Sequence, residues 1–224
     1  MKKLLTLILC ASGSYIFGQT TQQIAPRKEG PSIRLHVYTT YAFDDNVDSY
    51  YSTTSYFEGK IKGGFEYGGG LEYMLHPAYG IEFTYLRLDS KAPITYYDNG
   101  TRFAEFDLAS NYLLLGANRY LVINPKLEPY AGLQAGMVIF NVENPETGNT
   151  GSAVKFSWAL RAGLNIWVTE KIGIKMQAGL LSAVQSVGGG LYFGTGGAGA
   201  GVTGYSTFYQ WNLGGGLVFN LAGR

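Results

Sequence analysis

Residues 153–168 read AVKFSWALRAGLNIWV and alternate with a period of two throughout. Val154, Phe156, Trp158, Leu160, Ala162, Leu164, Ile166 and Val168 fall on one side, and Lys155, Ser157, Arg161, Gly163 and Asn165 on the other. Successive side chains of a strand point to opposite faces, so this segment is a strand with one apolar and one polar face. It is much longer than the usual strand of about five or six residues.

Seven further segments carry the same period: SIRLHVYTTYAF (32–43), KIKGGFEYGGGLEYML (60–75), YGIEFTYLRL (79–88), FDLASNYLLLGANRYL (106–121), PYAGLQAGMVIF (129–140), IGIKMQAGLL (172–181) and YSTFYQWNLGGGLVFNL (205–221). In the fourth in chain order, 106–121, the alternation is blurred; Phe106, Leu108, Tyr112, Leu114 and Tyr120 are assigned to its apolar face. No stretch holds a capped helical period. Long connections (about 44–59, 89–103, 141–152 and 182–204) alternate with the short turns HPA, VINPKLE and TEK. That pattern requires an even strand number, antiparallel order and one elaborated end. Strands of roughly ten or more residues, tilted by about 45°, cross a bilayer core of about 25 Å. The expected fold is an all-β, eight-stranded antiparallel up-and-down transmembrane β-barrel. A soluble barrel of lipocalin type would turn its apolar face inward and coat its outside with charge. Here the polar parity is mostly Gly, Ser, Asn and Gln, too sparse in charge for a solvated exterior, and Tyr and Trp cluster near strand ends, where interfacial girdles belong.

Composition agrees. Charged residues make up 15% of the chain, against roughly 25% in soluble domains. A net charge of +1 without a basic run gives no footprint for nucleic acid. MKKLLTLILCASGSYIFG (1–18) has the positive start, short apolar run and small final residue of a secretory signal peptide. Residues 19–31 read as a periplasmic linker and 32–221 as one barrel domain. Cys10, the only cysteine, lies inside the signal after Leu9, which is not the small residue a lipoprotein site needs. The remaining chain therefore has no disulfide and no thiol nucleophile.

Signal, linker, eight strands and the turn NPKLEPYAGLQAG (124–136) together resemble the small outer-membrane β-barrel proteins of the porin-like superfamily, and are most similar to the form common in Bacteroidetes. The final strand, WNLGGGLVFNLAGR, is similar to the C-terminal signal read by the barrel-insertion machinery, although it runs past the aromatic to Arg224. The resemblance implies the cell outer membrane as location. It carries no catalytic residues.

With the apolar parity toward lipid, the lumen would hold Arg34, His36, Lys62, Glu66, Glu72, Glu82, Asp107, Arg119, Lys155, Arg161 and Lys175. Isolated buried charge is costly, so these should pair across strands as a lumen charge network. An eight-stranded barrel is only wide enough to fill with side chains, so a closed lumen is expected. Of the two histidines, His36 is read as a hydrogen-bonded lumen residue and His76 as a turn residue. DDNVD (44–48) lacks the glycine and closing glutamate of an EF-hand and is read as a solvated acidic loop rather than a calcium site. No H-E-x-x-H, Walker or G-x-S-x-G motif occurs. The two overlapping G-x-G-x-x-G matches in the glycine run up to GGAGAGVTGY (196–205) lead into a strand, with no acidic residue after Glu170. They therefore read as an extracellular loop, not a nucleotide cradle.

No catalytic residue, metal ligand set or cofactor is expected, and an enzyme is not. Loops 44–59 and 91–101, rich in Tyr, Ser, Thr and Asn, suit either adaptable recognition or hydration beside lipopolysaccharide. The functional expectation is a structural or interaction role through these loops. The alternatives are an accessory subunit of a larger outer-membrane secretion or assembly complex, and a narrow pore or small-solute transporter. Expected partners are outer-membrane lipid and lipopolysaccharide, with a larger outer-membrane complex as a further partner.

Overall fold

Paired strands leave an open edge at each side of a sheet, and a sheet closed on itself leaves none. The computed structural model describes residues 32–52, 55–97, 100–121, 123–145, 148–188, 190–194, 197–201 and 208–221. The expected signal peptide (1–18) and linker (19–31) lie outside the described residues. Twelve strands are present among the described residues: β1 (Ser32–Ala42), β2 (Asp45–Ser52), β3 (Ser55–Ile61), β4 (Gly64–His76), β5 (Tyr79–Tyr97), β6 (Thr101–Tyr120), β7 (Leu127–Glu143), β8 (Thr150–Trp167), β9 (Ile172–Gly188), β10 (Gly190–Gly194), β11 (Gly197–Gly201) and β12 (Phe208–Asn220).

Eight of them form a closed ring. In order around it, β1, β4, β5, β6, β7, β8, β9 and β12 each pair antiparallel with the next, and β12 returns to β1. This is the eight-stranded up-and-down barrel expected from the alternation. Its outer surface is apolar: Leu71, Phe83, Leu133, Leu160, Met176 and Leu213 all stand exposed, and Phe65 is 72% exposed. Such a surface is stable only against lipid. Tyr41, Phe43, Phe65, Tyr67 and Tyr85 ring the end from which the long connections rise, and Tyr73 and Tyr79 ring the end with the short turns.

The connections expected as long loops are mostly strand. β1 has 11 residues, which span about 25 Å when tilted. β5 and β6 have 19 and 20 residues and so rise roughly 20 Å further. β2 and β3 make a hairpin that joins β5 through Phe57↔Tyr96 and Gly59↔Ile94. The cause is continued alternation. Leu86, Ala92 and Ile94 on β5 and Ala104, Phe106 and Leu108 on β6 turn inward and pack with Ile61, Phe140, Val142 and Ala153 as an apolar core. Within the glycine run, Gly197–Gly201 pairs with Gly190–Gly194 as a separate two-stranded sheet, and 202–207 lie outside the described residues.

Seven ring strands face as their alternation indicates; β6 is reversed. Phe106, Leu108, Tyr112, Leu114 and Tyr120 are buried inside, which turns Asp107 and Arg119 outward. Neither belongs to the lumen. Asp107 pairs with Lys91 at 3.1 Å, and Arg119 lies over the Tyr79 ring, 5.5 Å from its centroid. The apolar residues of β6 from Phe106 to Leu114 pack inside against Leu86, Val138 and Phe140 of the two neighbouring strands, so hydrophobicity on this face marks the inside. Lys62 also leaves the expected set: it precedes β4 and pairs with Glu105 at 2.9 Å, outside the lumen.

Candidate functional site

The lumen holds a continuous polar network, built in levels from the periplasmic end upward. At the lowest level the Arg34 guanidinium on β1 donates from Nη1 and Nη2 to the two carboxylate oxygens of Glu128 on β7, both at 3.0 Å. Asn165 Nδ2 (3.0 Å) and Trp167 Nε1 (3.2 Å) donate to the same carboxylate. The guanidinium also lies between two rings, 4.8 Å from the Tyr120 centroid and 5.3 Å from that of Trp167. Two-pronged hydrogen bonding and ring stacking are what arginine, rather than lysine, supplies in a buried pair.

The middle level centres on Glu72 and Glu82, directly opposed across β4 and β5. Asn118 Nδ2 donates to both, at 2.8 Å each. Tyr120 Oη donates to Glu72, as does His36 Nε2 at 3.1 Å. On its other side the imidazole faces Lys175, with Nζ 3.4 Å from Nδ1. An ammonium can only donate, so Nδ1 accepts and the ring proton sits on Nε2. Glu82 accepts from Tyr38 Oη in a short contact and from Arg161 Nη2 at 3.5 Å. Arg161 also donates to Thr84 at 2.9 Å and lies over the Tyr38 ring. Lys175 Nζ lies 4.1 Å from the Tyr130 centroid. Above this, Glu66 on β4 accepts from Thr40 at 2.7 Å and Asn212 at 3.0 Å. Lys155 is buried higher still.

The sequence places Arg34, Glu66, Glu72, Glu82, Lys155, Arg161 and Lys175 in the lumen, and the structure puts all seven there, buried. It removes Asp107, Arg119 and Lys62 and adds Glu128. The buried charges among the described residues are then Arg34, Lys155, Arg161 and Lys175 against Glu66, Glu72, Glu82 and Glu128. Four cations meet four carboxylates, where the sequence reading counts six against four. Glu128 shares the inward parity of Tyr130 and Gln134; starting that strand one inward position before Pro129 finds it.

His36, Glu72 and Glu82 could in principle share a cation, since one ligand atom of each lies within 4.8 Å of the others. Their oxygens are already taken by the Tyr38, Asn118, Tyr120 and His36 donors, and Arg161 and Lys175 supply positive charge beside them. The carboxylate oxygens of this group thus accept hydrogen bonds from the protein's own side chains. His76 Nδ1 accepts from the Ala78 amide at 3.2 Å and shapes the HPA turn.

The same fold also occurs in solved proteins. The chain is similar to Neisserial surface protein A, with 13% identity and a TM-score of 0.54, over 86% of this chain and 100% of that one. It is similar to the outer membrane protein OprG from Pseudomonas aeruginosa, with 13% identity and a TM-score of 0.56, over 90% and 100%. The chain is a β-barrel of the outer-membrane type. Its lipid-facing belt and this fold place the barrel in the outer membrane. No protein-family model matches the chain, and no curated protein matches it in sequence.

Proposed function

We propose that this outer-membrane barrel is a closed, non-conducting scaffold that works through its extracellular face, in a structural or interaction role and not as an enzyme. One observation carries the reading: side chains occupy the lumen from the Arg34–Glu128 pair at the periplasmic end to the Phe106 and Phe140 cluster at the top. A barrel of this size has no width left for solute once its interior is filled. The strand extension above the membrane has its own apolar core, which gives a firm platform for recognition. The outward band of Arg87, Asp89 and Asn111, with Tyr67 and Tyr85, suits the head-group region of lipopolysaccharide. The finer likeness to the Bacteroidetes form rests on the sequence pattern alone.

Planar-bilayer recording of the purified barrel tests the closure. The expected trace shows no unitary steps, and discrete steps from the wild-type protein would overturn the reading in favour of a narrow pore. Native purification in mild detergent addresses the extracellular role. Loss of a partner on replacing residues 45–61 by a short turn supports it. A stable large complex indifferent to that replacement supports the accessory-subunit alternative instead.

A further inference from the structure

The lipid-facing wall is not evenly rough. Three strands repeat the pair Ala-Gly at one level: Ala131-Gly132 on β7, Ala162-Gly163 on β8 and Ala178-Gly179 on β9. Their register sets Ala131 opposite Ala162, and Ala162 opposite Ala178. One inward-outward step above them, Leu133, Leu160 and Leu180 are likewise in register and continue to Trp211 on β12. Below them stand Leu164 and Met176. Small side chains between two rows of large ones leave a trough, and the structure has a groove of about 700 Å³ there, running from Tyr79 and Arg119 to Trp211.

The trough has a direction. Neighbouring strands are antiparallel and tilted, so a row of cross-strand partners climbs the wall. Arg119, partner of Ala131, is next to the periplasmic end of β6 at Tyr120. Leu213, partner of Ala178, lies seven residues before the end of β12 at Asn220. The row therefore starts at the periplasmic interface and rises into the hydrocarbon. At its lower end Arg119 is exposed, rests over the Tyr79 ring and has no carboxylate partner among the described residues. An arginine at that interface without an acid is open to a lipid anion, and a guanidinium matches a phosphate. Above it the trough walls offer only hydrocarbon.

We infer that this groove is a binding site for one phospholipid of the periplasmic leaflet, with its phosphate on Arg119 and an acyl chain along Ala131, Ala162 and Ala178. Charge at the interfacial end and apolar lining at the other match a lipid head and tail in that order. A second copy of the barrel, packed here about a two-fold axis, would bring Arg119 toward Arg119 and supply no anion for either.

Native mass spectrometry of the purified barrel with added palmitoyl-oleoyl phosphatidylglycerol tests the site, with the phosphate-free diacylglycerol of the same chains as control. The expected result is one retained phosphatidylglycerol, held about tenfold more tightly than the diacylglycerol. Arg119→Gln should remove that preference, and Ala162→Phe should remove retention of both. A heat-modifiable gel shift establishes that each variant folds; if Ala162→Phe does not, Arg119→Gln alone decides. Equal retention by wild type and Arg119→Gln overturns the proposal. So does efficient disulfide-linked dimer formation by Ala162→Cys in membranes, which would assign the groove to a second copy.

Discussion

Glu72 and Glu82 are direct cross-strand neighbours with no exposure, a placement that like charges oppose. Arg161, His36, Tyr38 and Tyr120 offset that repulsion one carboxylate at a time, and the single amide of Asn118 bridges the two by donating to both. Asn118→Leu keeps nearly the same volume and withdraws both donations. Hydrogen bonds to buried charge are worth about 1.5–3 kcal/mol each, so this variant should lose about 3 kcal/mol or more. Urea unfolding followed by the folded-to-unfolded gel shift would read it, and a loss under about 1 kcal/mol would contradict this role for Asn118. The Arg34–Glu128 pair allows a sharper comparison. Arg34→Met alone strands Glu128 and should cost about 3–5 kcal/mol, whereas Arg34→Met with Glu128→Leu removes both charges and should recover most of that loss. If single and double variants unfold alike, the pair is not the unit described. Glycines make room for the Glu72 and Glu82 carboxylates: a Cβ at Gly80 would run into that of Glu72 and one at Gly70 into that of Glu82.

β6 shows where sequence reading fails among the elements. The other ring strands carry apolar residues on the lipid face and polar ones within, so alternation alone orients them. β6 has Leu113, Leu114 and Leu115 in a row, then Phe106, Leu108 and Tyr112 inside and Phe103 outside. Its inner face packs in the apolar cluster with Leu86, Val138 and Phe140, so both parities are hydrophobic and the period carries no sign. That is why Asp107 and Arg119 are assigned inward from sequence and lie outward in the structure. The long extracellular strands were hidden for a related reason: beyond the membrane the outward residues become polar, as in Asp89, Lys91, Glu105 and Asp107, which reads as loop. Those outward residues make a titratable cluster. Lys62 and Lys91 hydrogen-bond Glu105 and hold its carboxyl below the ordinary glutamate value of 4.5. A depressed carboxyl stabilises the folded extension fully above pH 4.5 and loses that contribution as pH falls through its folded value. Carbon-13 titration of the Glu105 carboxyl should show a midpoint under 4.5 that rises in Lys62→Met with Lys91→Met. An unmoved midpoint would mean that these lysines do not engage it in solution.

At the scale of the whole molecule the lumen is sealed twice, by different physics. The lower seal is electrostatic, a set of paired charges and ring-stacked cations around Glu72 and Glu82. The upper seal is packing, with Leu86 of β5, Phe106 and Leu114 of β6, and Val138 and Phe140 of β7 filling the lumen from these three neighbouring strands. Charge removal weakens the first and leaves the second untouched, because apolar contacts carry no charge. Closure should therefore behave as a logical conjunction. Glu82→Ala with Arg161→Ala should still give silent bilayers, and so should Phe106→Ala with Phe140→Ala. Only the four changes together should yield measurable conductance, provided the gel shift shows that the barrel still folds. Conductance from either pair alone would show that one seal carries the closure, and the other level would then be a matter of stability.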